Sequence, residues 1–211
     1  MPATPPAPAI GHPPPPWNLH GPLRTAQLTT VHPLRPPPGL RPLLPRTMLL
    51  LLGSYHGGST LTYNELVLCS YARKGLRTGL AIQHIWVDND QAVHGGRHIW
   101  GLDKHHAAFQ WSHDRVRISD NRGTVAELRC GSPRRPIPGG ALPLPFFGLD
   151  GTRLLRTVAR GRGPTALCPI MVTHWSPHLP ALAAGPRGPR VRLSLLCDPS
   201  RVTVPAPQVL T

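Results

Sequence analysis

The sequence predicts a mainly β (α+β) fold, an antiparallel sheet that is closed or sandwiched and carries few short helices. Three observations lead there. Of 29 prolines, none falls between positions 46 and 132, so that stretch can use every backbone donor in a continuous ladder. Within it, short runs rich in Leu, Val, Ile and Trp are broken by Gly, Asn and Asp, the punctuation of strands and turns. The alternation Arg115, Val116, Arg117, Ile118 suits a sheet with one wet face.

Taken in order, residues 1–15 read as a disordered Pro-rich tail. A single domain is expected over 16–210, best supported over 46–132, with 22–45 and 133–190 irregular and rich in Pro and Arg. Pro16-Trp17-Asn18-Leu19-His20-Gly21 stands out, because a Trp in such a context usually docks onto something. No regular element is expected over 22–45. Thr47 to Leu52 and Leu61 to Tyr71 are apolar runs separated by Gly53, Gly57 and Gly58, which predicts two strands joined by a turn. Leu80 to Val87 reads as a third strand. Asp88-Asn89-Asp90 ends it and supplies a cap for a short helix over Gln91 to His98.

Strands are predicted over Ala107 to Trp111, Arg115 to Ser119 and Thr124 to Cys130, with turns at His113-Asp114 and Asp120 to Gly123. Beyond 132 the candidates are Thr152 to Ala159, Thr165 to Thr173, Val191 to Leu196 and a terminal strand at Val202 to Pro205. No internal repeat is visible.

Charge is distributed unevenly. The net +14 comes mostly from the flanks: 1–45 holds three arginines and no acid, and 133–211 holds ten arginines against Asp150 and Asp198. Arginine-rich flanks attract phosphate, but these are diluted among prolines and carry no aromatic interleaving or recognition motif, which weighs against a nucleic-acid partner. Cys69, Cys130, Cys168 and Cys197 form no Cys-x-x-Cys pair. With no apolar signal region and no apolar run long enough to cross a bilayer, they read as reduced thiols, the chain is expected to be cytoplasmic, and no membrane is expected as a partner.

Only two of the 23 Lys and Arg side chains are lysines, Lys74 and Lys104. The second sits in Gly95-Gly96-Arg97-His98-Ile99-Trp100-Gly101-Leu102-Asp103-Lys104-His105-His106. An amine can lose its proton and attack a carbonyl, which a guanidinium cannot do. A free lysine is almost wholly protonated at pH 7, and burial or a neighbouring cation favours the neutral form. His105, His106 and Arg97 are candidate cations, and Ile99, Trp100 and Leu102 a candidate apolar wall. Glu65, one of two glutamates, lies among Tyr63, Leu66, Val67 and Leu68. A carboxylate there needs a partner, and buried acids next to nucleophiles commonly move protons. His94 and His98, four residues apart, could hold a metal with His105, His106 or Asp103; with no nearby cysteine and no His-Glu-x-x-His, no metal is assigned.

Gly57-Gly58-Ser59, Tyr63-Asn64-Glu65-Leu66, Ile85-Trp86-Val87-Asp88, and Gly96-Arg97 followed seven residues later by a lysine together resemble the acetoacetate decarboxylase family, densely over 53–130. Pro16 to Gly21 and Val202 to Leu210 look like that family's terminal segments. The resemblance implies an acetoacetate-decarboxylase-like β-barrel and an imine-forming lysine at Lys104. The family is itself a known example of a lysine activated by desolvation next to a cation. It also implies Glu65 as a second catalytic residue, and Arg97, His105, Trp100 and Tyr63 around a small oxo-acid or other carbonyl substrate. A carbon–carbon lyase needing no cofactor, assembled as a homo-oligomer, is the expected form. The alternatives are a catalytically inactive small-molecule-binding member of the same fold and, with less support, a basic Pro/Arg-rich protein that contacts nucleic acid through its flanks. The sequence departs from the family's pattern at three places: His105 replaces a second lysine, Asp103 replaces a proline, and a second acidic position falls at Leu50.

Overall fold

A computed structural model describes residues 11–138, 140–185 and 188–210. Its centre is a ring of seven strands. The N-terminal side contributes β1 (Trp17–Thr29), followed by the two-residue β2 (Arg41–Pro42), then β3 (Thr47–Tyr55), β4 (Tyr63–Lys74) and β5 (Arg77–Val87). Next come α1 (Asp90–Trp100), β6 (Lys104–His106), β7 (Ala108–Ser112), β8 (Arg115–Asp120) and β9 (Gly123–Cys130). The C-terminal part supplies β10 (Pro136–Ile137), β11 (Leu142–Asp150), β12 (Arg153–Arg162), β13 (Thr165–Leu167) and β14 (Ile170–Trp175). It ends with β15 (Ala184–Gly185), β16 (Gly188–Pro189), β17 (Val191–Val204) and β18 (Gln208–Leu210).

Pairing runs β17-β1-β3-β4-β5-β11-β12, and β12 returns to β17, closing the barrel. Every pair in the ring is antiparallel except β5 with β11. A separate four-stranded sheet, β14-β9-β8-β7, covers the outside of β1, β3, β4 and β5. Closure removes the exposed edges that an open sheet would leave. Among the described residues no helix is long and apolar enough to cross a membrane.

Two apolar layers follow from the period-2 alternation of β3 and β4. Leu50, Leu52, Leu66 and Leu68 point outward, where they meet Val116, Ile118, Val125 and Leu128 of the covering sheet in a dry core. Leu49, Leu51, Tyr55, Tyr63, Glu65, Val67 and Cys69 lie on the other face, inside the barrel.

Sequence and structure differ most in the flanks. Residues 22–29 belong to the long strand β1, whereas 30–45 are irregular as expected apart from the two-residue β2. Pro22 falls at a register shift between Gly21 and Leu23, where no ladder donor is required. The 133–190 stretch contains β10 to β16. Pro143 and Pro145 are accommodated in β11 because its second side is bonded only at Phe146 and Phe147, to Leu80 and Ala81. Of the expected tail, residues 1–10 lie outside the described residues. Residues 11–16 are held along α1, with the Gln91 side chain donating to the Gly11 carbonyl at 3.1 Å and the Trp17 indole to that of Pro13 at 3.0 Å. None of the four cysteines is disulfide-bonded.

Candidate active site

Lys104 enters the barrel through local geometry set by α1. Asn89 caps the helix, its side chain accepting from the Ala92 N–H at 3.0 Å, as the Asp-Asn-Asp signal predicts. Gly101 ends it in the left-handed conformation, φ 61°, packed so closely against the Leu149 backbone that a Cβ has no room. The chain then turns back into β6, which pairs in parallel with the end of β5, Ile85 opposite Lys104. Lys104 points inward and is 4 % exposed; alternation turns His105 out to solvent, and His106, at the end of the strand, is exposed as well.

The two consecutive glycines of α1 serve two different neighbours. A Cβ on Gly96 would stand 2.7 Å from Cε of Lys104, so the lysine stem lies flat against bare helix backbone. A Cβ on Gly95 would stand 2.6 Å from the Trp17 ring, which packs edge-to-face on Trp100 at 4.7 Å. The Trp in the proline-rich N-terminal segment thus docks on the helix, and both indoles line the barrel cavity.

Inside that cavity the Lys104 Nζ donates to Glu65 Oε2 at 2.8 Å. The two side chains are 5 % and 12 % exposed, so the pair is almost removed from water. Glu65 comes from β4, flanked across the ladder by Gly53 of β3 and Val87 of β5. Tyr63 lies with its ring 5.2 Å from Nζ, a cation–π distance, and Tyr55 meets Tyr63 edge-on at 5.1 Å. Burial first, then the negative charge of Glu65, hold both phenols well above the usual tyrosine range. The same two causes raise the Cys69 thiol, which therefore stays protonated. The remaining wall is apolar, including Leu19, Leu51, Val67, Ile82, Phe146 and Val202. Among the described residues Lys104 and Glu65 form the one ion pair in it.

Four of the six residues singled out from sequence meet here: Lys104, Glu65, Tyr63 and Trp100. The Trp100 indole N–H is already used, donating to the Pro205 carbonyl at 2.8 Å, so this residue offers the cavity its apolar body. Arg97 and His105 do not reach the cavity. The Arg97 guanidinium is 3.8 Å from Asp103 and the His105 ring 3.1 Å from it, all three largely solvated. Arg97 and Asp103 line a separate outer cleft with Gln83 and His84, whose imidazole is held below the usual histidine range by burial and then by His105. Asp103 consequently spends its charge on Arg97 and His105, outside the cavity. Leu50 faces the inter-sheet core, so counting to it lands on the opposite side of β3 from the cavity, which Leu51 lines.

Sequence reasoning missed Tyr55, Trp17 and Leu51 as cavity residues. Tyr55 was findable, since it stands at even spacing from Leu51 on one strand face.

The sequence profile of the acetoacetate decarboxylase (ADC) family matches residues 32–174. The chain belongs to that family. Its fold is shared with acetoacetate decarboxylase from Legionella pneumophila, at 17% identity and TM-score 0.72, covering 98% of this chain and 92% of that one. The enduracididine biosynthesis enzyme MppR in complex with pyruvate aligns at 14% identity and TM-score 0.65, over 100% of this chain and 96% of that one. An acetoacetate decarboxylase-like enzyme from Sphingomonas wittichii RW1 aligns at 15% identity and TM-score 0.59, over 92% of each chain. No curated protein sequence matches. At these identities the structural likeness speaks for the barrel and not for a reaction.

Proposed function

We propose that this acetoacetate-decarboxylase-like protein binds a small carbonyl compound in the barrel and forms an imine with it through Lys104. The observation that carries this reading is the Lys104–Glu65 pair at 2.8 Å within an otherwise apolar cavity. Passing one proton from Nζ to Oε2 leaves a neutral amine beside a neutral acid, and the neutral pair escapes the desolvation penalty that two buried charges carry in a low-dielectric space. The amine then attacks the carbonyl carbon. Glu65 is within reach to return its proton as the carbonyl oxygen leaves as water, and the protonated imine draws electrons from an adjacent bond. With a β-keto acid that bond releases carbon dioxide and leaves an enamine, which takes up a proton and is hydrolysed back to free Lys104.

The lining favours an oxo compound with apolar substituents. Among the described residues no arginine faces the cavity and Lys104 is the one cationic partner for a substrate carboxylate, and Lys104 is spoken for by Glu65 and then by the imine. A second reading, non-catalytic binding of an apolar carbonyl metabolite, draws on the same pairing, because a lysine that stays bridged to Glu65 does not attack.

Borohydride reduction in the presence of a panel of β-keto acids, 2-oxo acids and aldehydes, followed by peptide mass analysis, separates the two. An adduct on the Lys104 peptide, absent from Lys104→Met and slowed in Glu65→Gln, supports imine chemistry. Saturable binding of the same compounds with no adduct at Lys104 supports the binding protein.

A further inference from the structure

The strap formed by residues 11–16 ends in a histidine whose surroundings the barrel site does not explain. His12 lies against the outer side of α1, its ring 5.1 Å from that of His94 and 6.1 Å from that of His98, and the two helix histidines are 3.9 Å apart centre to centre. One ligand nitrogen from each of the three falls within 4.8 Å of the others. Two of the rings are already oriented. Nδ1 of His98 lies 2.8 Å from the His94 carbonyl and Nδ1 of His12 3.2 Å from the Pro13 carbonyl. A carbonyl only accepts, so each Nδ1 carries the proton and each Nε2 is left with its lone pair, the tautomer that metal-binding histidines are commonly held in by such a contact. His94 adds an Nδ1 that is buried and has no hydrogen-bond partner among the described residues. A buried ring nitrogen without a partner is costly unless something binds it.

We propose that His12, His94 and His98 form a binding site for one divalent transition-metal ion of the kind imidazole prefers, such as Zn(II), joining the N-terminal strap to α1. Three imidazoles make up the set, and the exposed side of His98 leaves the fourth position to water, the three-histidine pattern of open zinc sites. Zinc–nitrogen bonds of about 2.0–2.1 Å require ligand atoms closer together than the present 4.8 Å limit, a difference that small ring rotations cover. The strap is held to the helix independently, by Gln91 to Gly11 and Trp17 to Pro13, so the site is largely assembled before an ion arrives. Gly95 is what lets it close: a Cβ there would come within 3.1 Å of His12 Cβ.

Zn(II) titration of the full chain followed by calorimetry and tryptophan fluorescence tests this, since Trp17 and Trp100 sit beside the strap. One ion per chain is expected, weakened on the order of tenfold or more in each of His12→Ala, His94→Ala and His98→Ala, with His174→Ala on β14 as the unaffected control. His98 is exposed, so its variant keeps the fold; unchanged circular dichroism in that protein shows that lost binding is not lost structure. A Co(II) spectrum of tetrahedral intensity that disappears in His98→Ala supports the site. Absence of saturable binding, binding unchanged in the three variants, or binding that survives His12→Ala overturns it.

Discussion

The two faces of β3 and β4 meet the same problem, apolar surface that must leave water, and solve it differently. Outward, Leu50, Leu52, Leu66 and Leu68 interlock with Val116, Ile118 and Leu128 and leave no exposure at any of the seven. Inward, Leu51, Val67 and Cys69 share their space with two tyrosines, a glutamate and a lysine from β6 around a cavity. The outer layer is built to be full, so stability rests there. The inner layer tolerates a buried ion pair that a well-packed apolar substitute would match or exceed in stability, a cost that the binding role proposed for this face accounts for.

That contrast is sharpest where one charge is removed. Lys104→Ala strands Glu65 in the cavity and is expected to cost about 3–5 kcal/mol in denaturant titration at pH 7. The double variant Lys104→Met with Glu65→Leu should recover most of that loss while abolishing any imine. If the double variant is as unstable as the single one, the inner face is structural after all. In the outer layer, Leu68→Ala should cost about 2–5 kcal/mol without altering ligand binding in the barrel. Gly96→Ala pushes a methyl onto the Lys104 stem. An overpacking cost of about 1–3 kcal/mol is expected, with weaker carbonyl-compound binding as the diagnostic, because the lysine must shift.

The smallest effects are in pH. The raised Tyr55 and Tyr63 hold their protons longer in the native state than in the unfolded chain, so their contribution is complete below about pH 10 and lost as pH rises beyond it. Tyr55→Phe should flatten the alkaline limb of a stability–pH curve. At the acid end, the hydrogen bond from Arg129 holds the partly exposed Asp114 below the usual carboxylate range. Its contribution is complete above about pH 4 and fades as the pH falls further, so Asp114→Asn should flatten that limb slightly.

The proline-free middle was legible in the sequence because its strand periodicity, turn residues and helix cap all agree, and the structure places β3 to β5, α1 and β7 to β9 where they point, while the three-residue β6 carries no strand signal of its own. Lys104 and Glu65 were legible for a different reason: each is a rare residue type in an apolar context. The flanks were obscured because Pro22, Pro143 and Pro145 sit where the ladder does not need their missing donors, which local sequence does not reveal. Arg97 and His105 are near Lys104 along the chain but not in space. The helix surface and the strand pleat turn them out, whereas Tyr55 and Trp17, distant in sequence, turn in. His12 was hidden for the same reason, being 82 residues from the His94 ring it approaches.

The closure of the ring also sets the order in which the molecule can be made. β1 is paired on one side by β17, with Trp17 opposite Val204, so the earliest of the described strands to be made waits for one made much later. Until then its outer edge stays open to other chains, and the contacts that close it join positions as far apart as Trp17 and Val204. Truncation within β17 therefore does more than remove a C-terminal segment. It leaves the barrel open beside the wall that holds Trp17 and Leu19, and turns a folding problem into a solubility problem.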